Sequence, residues 1–385
     1  MNEFSKIRIS SNFDGGNIRV IDCEAANDIR LEIESDHNAR FFQWFYFRLT
    51  GAAHKQCLLR IMNAGEASYP KGWEDYRMVA SYDREFWFRV DTFYSDGELS
   101  VQHQPAYDSV YYAYFAPYSM EKHASLVSIA QTSPRCELIN LGATLDGQDI
   151  DLLKIGEHGA NPGGSDKKVA WVIARQHPGE AMAEWWMEGF ISRLLNGSDP
   201  VARQLLDSVV FYVVPNMNPD GSRRGHLRTN AAGANLNRQW FDPAMDKSPE
   251  VFLARKFMHH TGVDFCLDVH GDEGLPYNFI ASSEGVVSWT PERQALLDFY
   301  KSELSIINPD FQIRHGYPRT EPGCANLAMC ANYIGETFGC LAMTLEMPFK
   351  DTTDTPNQMQ GWSPERAEHL GAANVEAIYR VLDRL

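Results

Sequence analysis

Through its first third the chain sets short aromatic or β-branched runs between polar turn residues: NIRVIDCE, IRLEIE, FFQWFYFRLT, KQCLLRIM, YRMVASYD and EFWFRV. Runs of this length and composition predict strands, and a set of them predicts a small antiparallel β-sandwich. From about Pro117 the pattern changes. Apolar runs KKVAWVIA, SVVFYVVP, VDFCLDV and CLAMTLEM now alternate with stretches whose apolar residues recur at helical spacing, such as EAMAEWWMEGFISRLL and PERAEHLGAANVEAIYRVL. That alternation predicts an α/β domain, a mostly parallel or mixed sheet flanked by helices. The expected organisation is an N-terminal β-sandwich domain over residues 1–117 and an α/β domain over residues 118–385, with the Gly-rich stretch 156–168 as an exposed loop.

Composition narrows the classes of function. A hydrophobic content of 44% over 385 residues is enough for at least one large core, and no uninterrupted apolar run approaches the roughly 18 residues of a membrane span. The N-terminus lacks the basic start and apolar run of a secretory signal, so a cytoplasmic location is expected, with no membrane partner. A formal charge of −16 repels phosphate backbones and anionic lipid, which argues against nucleic acid as a ligand. Seven scattered cysteines without a CxxC pair are expected to be free thiols.

Candidate chemistry lies where apolar runs end. After VAWVIA the chain reads Arg175, Gln176, His177, Pro178, Gly179, Glu180, and the Pro-Gly pair turns the chain where a helical pattern begins. An imidazole and a carboxylate on one turn are ligand types that zinc accepts, and a catalytic zinc site needs one more protein ligand and an open position. His270, in CLDVHGDEG at the end of another apolar strand, is the best candidate, because open α/β sheets place ligands at strand ends. Between them runs VVPNMNPDGSRRGHLRTNAAGANLNRQW, with Arg228, Asn237 and Arg238; guanidinium groups fork onto carboxylates. Glu346 sits inside the apolar run CLAMTLEM, where an ionised group is costly unless it is paired or functional, as a general base beside a metal would be.

Taken in order, HPGE, NPDG, GHLRTN, NLNRQW, LDVHGDE and MTLEMPF resemble the zinc metallocarboxypeptidases, and QWFYFRLTG with FAPYSMEKHASL resembles the cytosolic carboxypeptidase-like branch, which carries an N-terminal β domain. The resemblance implies a carboxypeptidase-like mixed central sheet and one Zn2+ per chain held by His177, Glu180 and His270. It further implies Glu346 as general base toward a metal-activated water, Arg228 facing the scissile carbonyl, and Asn237 with Arg238 holding the terminal carboxylate of a peptide or protein substrate. The implied reaction is hydrolysis of the C-terminal peptide bond or a peptide-like amide. Two other readings are carried beside it: a zinc amidohydrolase deacylating a small amino-acid derivative, and a catalytically silent module that captures peptide ends.

Three positions depart from the family pattern. Asn235 stands where relatives carry an Asp behind a metal-binding His, which predicts weaker zinc affinity. The substrate-closing tyrosine of digestive carboxypeptidases falls, by counting, at Cys324, with Tyr317 and Tyr333 nearby and the role unassigned. The segment PGCANLAMCANYIG lacks the basic residue of relatives that trim glutamate chains, leaving Arg314 and Arg319 as neighbouring sources of positive charge.

Overall fold

The computed structural model describes residues 6–157 and 166–385; most of the loop expected at 156–168 lies outside the described residues. Ten strands form the N-terminal part: β1 (Arg8–Ser10), β2 (Arg19–Ala25), β3 (Asp28–Glu32), β4 (Tyr46–Thr50), β5 (Cys57–Ile61), β6 (Val79–Ser81), β7 (Phe88–Arg89), β8 (Asp91–Ser95), β9 (Glu98–His103) and β10 (Ser109–Ala113). They pair into two sheets among the described residues, ordered β1-β4-β10-β6-β7 and β2-β3-β5-β9-β8. All neighbours are antiparallel except β3 and β5. Alternate residues such as Leu31, Leu59 and Val101 from one sheet and Phe47, Leu49 and Tyr112 from the other are buried in one core, as the period of two requires. The tyrosine hydroxyl of Tyr112 meets His103 Nδ1 across the sheets at 2.7 Å.

The run 41–50 pairs as a strand only from Tyr46. Gln43 Nε2 donates to the Tyr69 carbonyl at 3.1 Å and Trp44 Nε1 to the Gly15 carbonyl at 2.8 Å, so this part of the apolar run is spent tying loops together.

The remainder contains α1 (Met120–Ala130), β11 (Cys136–Ala143), β12 (Asp149–Ile155), β13 (Lys168–Ala174), α2 (Met182–Leu195), α3 (Pro200–Ser208), β14 (Val209–Val214), α4 (Pro219–Arg224), α5 (Pro249–Thr261), β15 (Phe265–Asp272), β16 (Phe279–Ser282), α6 (Pro291–Ile307), α7 (Cys330–Phe338), β17 (Leu341–Pro348) and α8 (Pro364–Val381). Its sheet runs β11-β12-β14-β13-β15-β17-β16, with parallel pairing at the centre and antiparallel strands at both edges. Successive residues of β13 serve opposite layers. Ala170 and Val172 pack toward α2, α6 and α8, whereas Trp171 and Ile173 pack toward α5 and α7. Asp199, Thr290 and Ser363 each accept a backbone N–H at a helix start whose next residue is proline, which fixes where α3, α6 and α8 begin.

Helix α2 crosses α8 at glycine. A Cβ on Gly189 would lie 1.9 Å from the Glu368 carbonyl oxygen, and one on Gly371 would lie 2.0 Å from that of Trp186. Only glycine permits this backbone approach. It pins α2, whose N-terminal turn follows the candidate metal ligands.

Strand order places β14 on one side of β13 and β15 on the other. The crevice between β13 and β15 is therefore a topological switch point, the place where open α/β sheets bind ligands.

Candidate metal centre and active-site cavity

His177 and Glu180 stand on the turn after β13, a segment held from several sides. Arg175 adopts a positive φ of 57°, uncommon for a residue with a side chain, and its guanidinium curls back to the Pro178 carbonyl at 2.9 Å and the Tyr118 carbonyl at 2.8 Å. Glu184 ion-pairs with Arg175 and accepts from Asn216 at 3.0 Å. Asn218 Nδ2 donates to the Gln176 carbonyl at 3.0 Å while its Oδ1 receives the Gly221 N–H that starts α4. NPDG thus braces the metal turn and contributes no residue to the cavity wall.

The three expected ligands converge. His177 Nδ1 lies 2.7 Å from Glu180 Oε1, His270 Nδ1 lies 2.8 Å from Glu180 Oε2, and the two Nδ1 atoms are 3.2 Å apart. All three side chains are buried, and among the described residues they form the one group of His, Cys, Asp or Glu compact enough to hold an ion. Ligands at about 2.0–2.1 Å from a tetrahedral ion sit about 3.3 Å from one another, so this donor set is of the type zinc takes and needs to open by about half an ångström to hold it. Burial and the nearby Arg228 push the His177 ring down to about 4, leaving it neutral at neutral pH as a ligand must be. Burial opposes a charge on His270, but Asp268 and Glu180 together raise it.

Glu346 is in register with His270 across β15 and β17, and Phe279 of β16 flanks it on the other side. Its Oε2 is buried without a hydrogen-bond partner. Burial, then Glu180, Asp272 and Glu273, push its carboxyl well above the ordinary range, against the pull of His270. An orphaned carboxylate oxygen beside three converging ligands is what a metal site with a neighbouring base would leave in view.

A cavity of about 530 Å³ opens over these residues. Arg228, Asn237 and Arg238 line it together with His177, Glu180 and Glu346. Asn237 Oδ1 is used by the Cys330 N–H at 2.8 Å, which leaves the amide nitrogen as its free donor. Arg238 is held by its own neighbour, donating to the Asn237 carbonyl at 2.6 Å.

Several residues of the wall and its support are given no role in the sequence reading. Ser68 to Gly72, from the N-terminal part, close one side. Phe41 and Tyr69 carry the Arg228 guanidinium at 5.7 and 5.4 Å from their ring centroids. Asp36 accepts the backbone N–H groups of Leu227, Arg228 and Thr229 at 2.6, 2.8 and 2.9 Å, shaping the loop that presents Arg228. Glu273 is buried at the wall, its carboxyl raised to about 8 by burial and by Glu180. Glu273, in the LDVHGDE motif itself, and Asp268, which lies behind His270 and precedes it by two on the same strand face, could have been found from sequence.

Tyr317 lines the cavity and donates to Asp272 Oδ2 at 2.6 Å. Tyr333 instead bonds His259 at 3.0 Å, and Cys324 is exposed. The expectation that Arg314 or Arg319 lends charge to the cavity is corrected: they pair with Asp354 at 2.8 Å and Glu284 at 3.2 Å and are absent from its lining. Local carboxylates had already claimed them. All seven cysteines are free, and no helix among the described residues is long and apolar enough to cross a membrane.

Residues 9–115 match the family described as the cytosolic carboxypeptidase N-terminal domain, and residues 123–305 match the zinc carboxypeptidase family. The metallo-carboxypeptidase of Burkholderia cenocepacia is 46% identical with a TM-score of 0.96, covering 99% of this chain and 100% of that one. A metallo-carboxypeptidase of Pseudomonas aeruginosa, solved in complex with (2-guanidinoethylmercapto)succinic acid, is 44% identical with a TM-score of 0.95, covering 98% and 99%. Cytosolic carboxypeptidase 1 of Xenopus laevis is 28% identical over 67% of this chain, which spans only 24% of that protein's length. With both family matches in tandem and likeness to bacterial relatives over nearly its whole length, this chain belongs to the zinc carboxypeptidase family, in its cytosolic carboxypeptidase branch.

Proposed function

We propose that the chain hydrolyses the C-terminal peptide bond, or a peptide-like amide, of a substrate with a free terminal carboxylate. The observation that carries this is the convergence of one ligand triad, one unpartnered carboxylate and two arginines on a single cavity. His177, Glu180 and His270 hold one zinc ion. Such an ion polarises a carbonyl and makes a bound water acidic enough to deprotonate near neutral pH.

The protein's own groups do the rest. Glu346 accepts the proton of the attacking water and passes it to the leaving amine. Arg228, held between Phe41 and Tyr69, neutralises the charge that develops on the carbonyl oxygen. Asn237 and Arg238 receive the terminal carboxylate, which makes the enzyme an exopeptidase. The Pseudomonas relative was solved with a succinic acid derivative, a carboxylate-bearing compound of the kind Asn237 and Arg238 would receive. The proposed organisation is a β domain over residues 1–117, which lends Ser68–Gly72 to the cavity wall, and a catalytic domain over residues 118–385, and the cytosolic relatives support a cytoplasmic location.

The test is a panel of free-acid, amidated and N-acyl amino-acid substrates, assayed before and after chelation and after zinc is restored. Free-acid peptides should be cleaved, chelation should abolish turnover and zinc should return it. Turnover by the fully metal-free chain, or turnover of N-acyl amino acids alone, would refute the peptidase reading.

A further inference from the structure

Both imidazoles turn Nδ1 inward, so each presents Nε2 to a second group behind it. Behind His177 stands a neutral amide, Asn235 Oδ1, at 3.1 Å. Behind His270 stands a carboxylate, Asp268 Oδ2, at 2.8 Å. Resting on the reading of the triad as a zinc site, we propose that Asp268 is the positioning carboxylate of the metal centre, acting through His270, and that it sets the zinc affinity while Asn235 contributes little.

Asp268 is fully buried two residues before His270 on β15, hence on the same face of the strand. Its Oδ2 also receives Gln176 Nε2 at 2.7 Å, and Gln176 Oε1 in turn receives Trp240 Nε1 at 2.8 Å. That chain of donors fixes the carboxylate against the imidazole edge. Its Oδ1, however, makes no hydrogen bond to a nitrogen or oxygen, and the weak donor facing the carboxylate is the Cys330 thiol.

A buried carboxylate with one oxygen left to a thiol at best is costly, and an amide would serve a purely structural role at less expense in desolvation. No Lys or Arg among the described residues pairs with Asp268, so its compensating charge reaches it only through the His270 ring. A carboxylate accepting Nε2–H makes the opposite nitrogen a stronger donor than an amide does. The weaker zinc affinity expected from Asn235 is thereby offset on the other ligand.

Zinc dissociation constants of the full chain, measured by competition with a chromophoric chelator, test this alongside melting midpoints of the metal-free forms. Asp268→Asn should weaken zinc binding by about 10–100-fold, and Asn235→Ala by no more than about threefold. Asn235→Asp should tighten binding in the wild-type background and recover part of the loss in the Asp268→Asn background. That gain-of-affinity variant keeps the question open to measurement even where Asp268→Asn fails to fold. Wild-type affinity in Asp268→Asn, or equal losses from the two single removals, would overturn the proposal and leave the functional reading standing. A wild-type chain that takes up no zinc would overturn both.

Discussion

Tyr69 and Arg228 meet across the two parts of the chain, the guanidinium carbon 5.4 Å from the ring centroid. With Phe41 beneath and Asp36 gripping three successive N–H groups of its loop, Arg228 is positioned almost wholly by residues that precede the α/β part. Asp36→Ala strands those N–H groups, at about 1–3 kcal/mol for a buried unsatisfied donor. Turnover of a free-acid peptide should fall at least tenfold while zinc stoichiometry, measured by atomic absorption, stays at that of the parent.

Arg228 and Arg238 should fail differently. On the proposed mechanism Arg228→Ala should lower kcat, because the charge it would meet exists in the transition state, whereas Arg238→Ala should raise KM and erase the preference for free acids over amides. Steady-state kinetics on matched free-acid and amidated peptides separate the two; a strong surviving preference in Arg238→Ala would remove it from carboxylate recognition.

Glu346→Gln keeps size and would remove the proposed proton acceptor. Turnover should drop by 10²-fold or more on general-base grounds, with zinc content retained. Loss of both together would indicate a ligand role instead.

His123 offers a pH test away from the metal. Burial alone would lower its pKa, but hydrogen bonds to Asp151 and Glu184 outweigh that and raise it from 6.5 to about 9. The folded state therefore binds the proton more tightly than the unfolded chain. The resulting stability, on the order of 3 kcal/mol, is fully present below pH 6.5 and is lost as pH rises through about 9. His123→Ala should accordingly cost more at pH 6 than at pH 10 in urea unfolding; an equal cost at both would contradict a charged ring.

Gly189→Ala should destabilise by about 1–3 kcal/mol or more, since its Cβ would meet the Glu368 backbone at 1.9 Å rather than a side chain able to move. Thermal unfolding reads this directly, and an unchanged midpoint would mean that α2 and α8 can separate freely.

What could be read from sequence was what repeats or ends abruptly. Buried parallel strands such as Val209–Val214 are continuous apolar runs, and His177, His270 and Glu346 interrupt or follow such runs with groups too polar to bury idly. The hairpin β11 and β12 escaped notice because β11 is an edge strand with a mixed burial pattern and no strong alternation. Asp36 was unreadable for another reason: its partners lie about 190 residues away, and nothing local marks an acid that serves a distant loop. Asp268 was legible in principle, being in phase with His270, but a lone carboxylate in an apolar run says nothing about which ring it will face.

His270 and Glu346 share one rung of a hydrogen-bonded ladder, while Arg238, Tyr317 and Lys71 reach the same cavity from connecting segments. Two of the candidate chemical groups are thus fixed by the sheet, whereas Arg228 and the wall around it are set by loops. Transplanting residues 313–329 between relatives would therefore exchange Tyr317 and Met329 of the cavity wall while leaving that ladder untouched.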